Sequence, residues 1–217
     1  MILGAIIDAG LKVQALQKEL EKLRLPGLAL EARRTRRAGL SGTWVDVINR
    51  KQLPPFKTFS EMERRILKSA LSRPIQERSI EIFKRLAKAE AEAHGKRIDR
   101  THLHEVGAID TLADVVGAVA GLSLLKIDRV IASPIHVGAG VVQTDSGAFP
   151  IPAPATAALL KGRPIYATGA QGELTTPTGA AILSTLAFEF TPLPLMTVER
   201  IGSGAGTTDR ATPNLLR

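Results

Sequence analysis

Cysteine is absent from all 217 residues. Its absence excludes disulfides, zinc ribbons, thiol catalysis and iron–sulfur ligation, so any metal must be held by His, carboxylates and backbone oxygen. A cytoplasmic location is the expectation that follows. Aromatic residues are also scarce, at 4%. With no recognition motif beside the basic residues, that scarcity argues against a nucleic-acid partner. Long apolar runs are missing as well: the longest, Val115 to Leu125, has 11 residues between Asp114 and Lys126, short of the roughly 18 needed to cross a bilayer. The opening MILGAIIDAG has no basic flank and carries Asp8 inside its apolar stretch, so it does not read as a secretory signal. No membrane partner is expected.

What is present divides unevenly. Residues 1–100 hold 22 basic and 12 acidic side chains, net +10, and residues 101–217 hold 7 and 9, net −2. Glycine and proline run the other way, 6 and 4 against 13 and 9. At 44% apolar residues, a chain of this length has the material to bury roughly 70% of its unfolded surface. Helical spacing of Leu3, Ile6 and Ile7, then Leu16, Leu20 and Leu23, predicts a first helical segment broken near Gly10 and ended by Pro26 and Gly27. Residues 28–37 and 44–48 read as a hairpin turning over Gly39 to Gly42, with Arg33, Arg34, Arg36 and Arg37 at its end. Ser60 and Glu63 look like a capping box. Helices are expected after Pro74, after His104 to about Leu125, over Ala153 to Leu160 and from Pro177 to Phe190; strands are expected at VIASPIHVG, Pro164 to Ala167 and Met196 to Ile201. The order is mixed α/β (α+β), helices packed on mixed sheets, without an internal repeat. A basic helix and hairpin unit over residues 1–59 and a Gly/Pro-rich α/β body over 60–217 are expected.

The densest polar cluster is THLHEVGAIDTLADVVGAVAG. On an extended lead-in His102 and His104 point the same way, and Glu105 falls in the first turn of the helix. Gly107, Asp110, Asp114, Gly117 and Gly121 form one small, acidic stripe along it. Three helical glycines cost about 1 kcal/mol each relative to Ala, so something must approach this backbone closely. Two readings fit: helix packing with solvated acids, or a metal and acid/base site, since imidazole with carboxylate oxygen suits Ni, Zn or Fe(II). Thr175 or Thr176 can cap a helix starting at Pro177, and the Thr176 and Thr178 hydroxyls with the Gly179 amide make an anion site or an ordinary helix start. IPAPATAALL repeats the arrangement more weakly with Pro154 and Thr156. The cluster Gly202-Ser-Gly204-Ala-Gly206 lacks the context of a Walker A or Rossmann loop, and reads as turns or as a phosphate cradle.

At THLHEVGAIDTLADVVG, FPIPAPATAALLKG, GELTTPTGAAIL and VERIGSGAGTTDRATPNLLR the sequence resembles the LarC family, the nickel-insertion enzymes of the nickel-pincer cofactor pathway that serves lactate racemase. The four motifs occur in the family's order over residues 101–217, and MILGAIIDAG and the Arg-rich hairpin with GLSGTWVDV resemble its preceding units. The resemblance implies a cyclometallase that places Ni²⁺ into a pyridinium bisthiocarboxylic acid mononucleotide and consumes CTP with a divalent cation. It implies His102, His104 and Glu105 as nickel ligands, and Asp110, Asp114 or Glu105 as catalytic acid or base. Thr175, Thr176, Thr178, Gly179, Gly204 and Gly206 are the expected cofactor contacts. A homo-oligomer, or a separate C-terminal CTP-binding region as partner, is also expected. The alternative is a non-catalytic scaffold that binds metal or precursor and docks that region.

The sequence also departs from the family pattern. Met1 stands where a glycine-rich, Asp-containing turn would end, and Ile48 to Phe59 has no histidine where members carry a His-rich stretch. Ser146-Gly147 replaces a frequent His-Gly, and the chain stops at PNLLR, where a CTP-binding region would begin. The expectation is that this chain supplies only part of an enzyme.

Overall fold

The computed structural model describes residues 1–217 apart from 102, 104–106, 145 and 146. In chain order its helices and strands begin with α1 (Ile2–Asp8), α2 (Val13–Glu21), β1 (Leu28–Arg37) and β2 (Leu40–Asn49). Then come α3 (Phe59–Leu67), α4 (Arg73–Ala93), a short 3₁₀ turn (Ile98–Arg100) and α5 (Ile109–Leu124). Short units follow: β3 (Val130–Ala132), β4 (Ile135–His136), β5 (Gly138–Ala139), β6 (Val141–Thr144), β7 (Gly147–Pro150), α6 (Pro154–Leu159), β8 (Ile165–Tyr166) and β9 (Gly172–Glu173). The last are α7 (Pro177–Leu186), β10 (Ala187–Phe190), β11 (Gly204–Ala205) and β12 (Leu215–Leu216). The architecture is mixed α/β, as expected.

α5 lies at the centre. Leu112, Ala113, Val115, Val116, Ala118 and Ala120 are all fully buried, because the helix is apolar apart from Asp110, Thr111, Asp114 and Ser123 and is covered by α1, α2, α4 and α7. α4 shows the opposite pattern. Its Ile75, Ile82, Phe83 and Leu86 point inward while Lys and Arg take the solvent face, each large apolar side chain contributing about 1.5–3 kcal/mol by burial. One apolar cluster runs from Leu3 through Phe83 and Val116 to Ile182. The core therefore continues across the boundary expected between residues 59 and 60.

β1 and β2 pair antiparallel from Leu28↔Asn49 to Arg37↔Leu40. Their turn is the two residues Ala38 and Gly39, both at positive φ, which suits the twist of a tight hairpin; the strands run straight through Gly42, where a longer turn was expected. β11 then adds parallel to β2 at Gly204↔Thr43, and β12 adds to β11, giving the order β1-β2-β11-β12.

Several local expectations are corrected. The cap of α3 is Thr58, whose hydroxyl accepts from the Glu61 amide at 3.3 Å while the Glu61 carboxylate accepts from the Lys57 amide at 2.8 Å. The Ser60/Glu63 pair therefore lies two residues inside the helix. α5 starts at Ile109, several residues after His104. The helix expected to reach Phe190 stops at Leu186, and Ala187–Phe190 pairs parallel with β3 instead. Met196 to Ile201 is not a strand; Leu195, Met196, Val198 and Ile201 are exposed there.

Of the expected glycine stripe, Gly117 and Gly121 on α5 are explained by α1, whereas Gly107 precedes the helix and lies against the Phe56 carbonyl. A Cβ on Gly117 would come within 3.0 Å of Leu3 Cδ2, and one on Gly121 within 2.9 Å of Ile6 Cγ2. On the other side of α1, a Cβ on Gly202 or Gly204 would overlap its backbone at Ala5 or Met1. Asp8, at the carboxyl end of α1, clamps this layer. Its carboxylate accepts from the Ser203 amide at 2.8 Å, from the Thr43 hydroxyl at 2.7 Å and from the Arg34 guanidinium. Burial works to raise its pKa, but these donors together hold it below the ordinary carboxylate value.

Candidate functional site

The turn after β4 and the segment leading into α7 meet where β4 and β8 run parallel, with Ile135↔Ile165 and His136↔Tyr166 in register. The carboxyl ends of parallel strands are where α/β proteins gather ligand-binding loops. Just past His136 the chain enters Val-Gly-Ala-Gly. Gly138 takes φ +89°, and a Cβ there would overlap the carbonyl oxygen of Gly172, so only glycine lets β5 and β9 pair at this distance. Two further bonds join this turn to the segment leading into α7: the Leu174 amide donates to the Val137 carbonyl at 3.1 Å, and the Thr175 hydroxyl donates to the His136 carbonyl at 2.8 Å.

The His136 ring is held at both nitrogens. Nδ1 accepts from the Gly138 amide at 3.1 Å, and Nε2 lies 2.7 Å from the Thr168 hydroxyl. A neutral imidazole accepting at Nδ1 carries its proton on Nε2, so the ring donates to Thr168. Tyr166 packs against it with centroids 4.6 Å apart and planes at 64°. One residue beyond Thr175, Thr176 caps α7, its hydroxyl accepting from the Gly179 amide at 3.2 Å, and Pro177 follows at the first helical position. Arg210 closes the far side by donating to the carbonyls of Gln171 and, at 3.1 Å, Glu173.

Of the residues singled out from the sequence, Thr175, Thr176, Thr178 and Gly179 thus stand together at the start of α7. His102, His104 and Glu105 lie outside the described residues, as does Ser146. Among the described residues no group of three His, Cys, Asp or Glu side chains could hold a metal ion. The described flanks of the His102 segment are fastened: the Leu103 amide donates to the Lys57 carbonyl at 2.9 Å and the Phe56 amide to that of Gly107 at 2.8 Å. Asp110 is exposed and accepts from the Thr111 amide at 2.9 Å. Asp114, one turn on, is half-buried; burial and then Asp110 push its carboxyl up, the Met1 amino group opposes them, and the result is about 6.

Gly204 and Gly206, expected to contact a cofactor, face protein. Gly204 is sealed under α1 and Gly206 abuts the Asn214 side chain. At the weaker repeat, Thr156 is fully buried on α6, and the cap position before Pro154 is Ala153, which has no hydroxyl to offer. The basic hairpin is largely committed to internal contacts. Arg33 lies over Trp44 at 4.5 Å, Arg34 binds Asp8, and Arg37 donates to the carbonyls of Gly206 and Thr207 at 2.7 and 3.1 Å. A surface groove of about 780 Å³ between α4, α5 and β10, lined in part by Arg78, Lys126, Arg129 and Phe188, contains none of the expected site residues.

Sequence reasoning missed His136, Tyr166, Thr168 and Arg210. A signal existed for His136 alone, a histidine at the end of a strand-like run and directly before a glycine turn.

An α/β protein with its polar loops gathered at parallel strand ends and a capped helix start is the class that fold and site define. The chain belongs to the nickel insertion protein family, which matches it over residues 1–217. It is 48% identical over 217 residues to the pyridinium-3,5-bisthiocarboxylic acid mononucleotide nickel insertion protein of Desulfitobacterium hafniense, covering 100% of this chain and 54% of that protein. A relative from Syntrophobacter fumaroxidans, also named for nickel insertion, is 47% identical over 218 residues, covering 100% of this chain and 56% of its own length. The chain thus spans about half the length of the curated relatives it matches. No solved structure matches it. Among the described residues no helix is long and apolar enough to cross a membrane.

Proposed function

We propose that this chain supplies part of an enzyme that inserts Ni²⁺ into a pyridinium-3,5-bisthiocarboxylic acid mononucleotide, making the nickel-pincer cofactor of lactate racemase with CTP and a divalent cation as co-reactants. The observation that carries the reading is the end-to-end family match, together with the name of the 48% identical relative. In this reading nickel is a substrate. His102, His104 and Glu105 hold it with nitrogen and oxygen donors, the kind of set left to a chain without thiols. Insertion forms two nickel–sulfur bonds and one nickel–carbon bond, and the ring carbon gives up a proton. Asp114 is suited to take it, because a carboxyl raised to about 6 shares protons readily near neutral pH; Asp110 and Glu105 are the other candidates. Thr176, Thr178 and the Gly179 end of α7 bind the precursor phosphate, where the helix dipole favours negative charge.

A second reading is a non-catalytic scaffold that binds metal or precursor and docks a separate CTP-binding region. A turnover assay with CTP, nickel and precursor, with and without a polypeptide matching the rest of a relative, separates the two. Turnover by this chain alone removes the scaffold reading. Titration with Ni²⁺ tests the metal assignment: the His102→Ala, His104→Ala double variant should lose affinity, and unchanged affinity would remove those ligands.

A further inference from the structure

Tyr166 is the single tyrosine of the chain, and it ends β8 with its side chain 47% exposed. The ring packs against His136, a histidine held at both nitrogens, yet about half of the residue stays open to solvent at the strand end. The T-shaped arrangement with His136 leaves ring faces that neither residue covers in the other. The neighbourhood is also specific in charge. The Nδ1 contact with Gly138 and the Nε2 contact with Thr168 describe a neutral imidazole, so the ring beside Tyr166 adds no positive charge. Thr168 is exposed and receives the Nε2 proton, which leaves its own hydroxyl proton to point at an acceptor on a ligand. A π face that attracts a cation, with a hydroxyl donor next to it, matches a cationic aromatic ring carrying anionic substituents.

We infer that Tyr166 is the recognition surface for the pyridinium ring of the substrate, stacking on it while Thr168, oriented by His136, donates to a ring carboxylate or thiocarboxylate. The inference rests on the reading of the substrate given above. It assigns to β8 the discrimination between a charged pyridinium and a neutral ring, and leaves the phosphate to α7.

Nicotinic acid mononucleotide, a pyridinium carboxylate without sulfur or nickel, is the probe, titrated calorimetrically against the purified chain. Wild type should bind it, and should bind its uncharged 1,4-dihydro counterpart about tenfold more weakly. Tyr166→Phe should stay within about twofold of wild type, and Tyr166→Leu should lose about tenfold. Equal binding of the two ring forms, wild-type affinity in Tyr166→Leu, or no binding by wild type overturns the inference. Should Tyr166→Leu fail to fold, 3-fluorotyrosine incorporation reports on this one residue: its fluorine resonance should shift with the pyridinium form, and a resonance that does not move overturns the inference equally. The two readings fail separately. Tyr166-dependent pyridinium binding without nickel insertion removes only the nickel reading, whereas nickel insertion with unchanged KM in Tyr166→Leu removes only the role of Tyr166.

Discussion

The layer formed by α1 with the β1-β2-β11-β12 sheet, and the region of short strands from β4 to the start of α7, are both rich in glycine, yet they use it differently. In the first, glycine removes side chains so that backbones meet: Gly4 lies against the Thr43 carbonyl, Gly202 and Gly204 against α1, and Gly117 and Gly121 under Leu3 and Ile6. In the second, Gly138 also lets backbones meet, but its glycines share positive φ at Gly138, Gly140, Gly169 and Gly172, which turns the chain so that His136, Tyr166, Thr168 and Thr175 come together. The first use closes space and the second arranges polar groups around open space. Glycine clusters in a sequence therefore do not by themselves mark a ligand site.

Substitutions should separate the two regions by size of effect. Gly204→Ala, which forces a methyl into the α1 backbone, should cost about 3 kcal/mol or more, lowering the melting temperature by at least about 6 °C. A melting temperature within 1 °C of wild type would mean that α1 does not sit on β11. Asp8→Ala should cost about 2–3 kcal/mol, because the Ser203 amide and the Thr43 hydroxyl lose their acceptor. Since the folded pKa of Asp8 is depressed, this stabilisation is complete above about pH 4 and is lost as pH falls through the folded value; in denaturant titrations the gap between wild type and variant should be widest at pH 7 and should narrow as the pH is lowered towards 3.

Asp114→Asn should act in the other direction. Burial pushes the folded carboxyl up from the ordinary 3.8 to about 6, so the folded state binds more protons between those values, and stability falls as pH rises through that window. Removing the charge should stabilise the fold by about 1–3 kcal/mol above pH 6 and by nothing below about pH 4. If Asp114 is the proton acceptor of the proposed reaction, the same variant loses turnover, so stability and activity part company. The smallest effect belongs to the second region: Thr176→Ala removes the cap of α7 at a cost of about 1 kcal/mol, while binding of inorganic phosphate should weaken severalfold. Unchanged phosphate affinity would take α7 out of the proposed site.

Local rules were readable wherever neighbours in sequence decide the outcome. The apolar faces of α2 and α4, the hairpin, the break at Gly10 and the Thr176-Pro177 helix start all follow from spacing and turn chemistry. Elements that failed were decided by competition with distant partners. Residues 187–190 continue a helical pattern, yet pair with β3 because a parallel strand satisfies their backbone. Ser60 and Glu63 satisfy a capping motif, but Thr58 and Glu61 satisfy it two residues earlier. Gly204 carries the look of a phosphate loop, and its neighbour in space turned out to be a helix 200 residues away in sequence.

By itself the sequence determined the family, the mixed α/β class, the lack of thiols in these 217 residues and the group of threonines at α7, since these depend on residue type and short spacing. Only the tertiary structure decided that α1 fills the glycine stripe, that the Arg-rich hairpin is spent on Asp8 and Gly206, and that His136, Tyr166 and Thr168 form one corner. Those contacts join residues from 26 to 169 positions apart, and packing and hydrogen bonding over such separations are fixed by how the whole core closes, which no local pattern records.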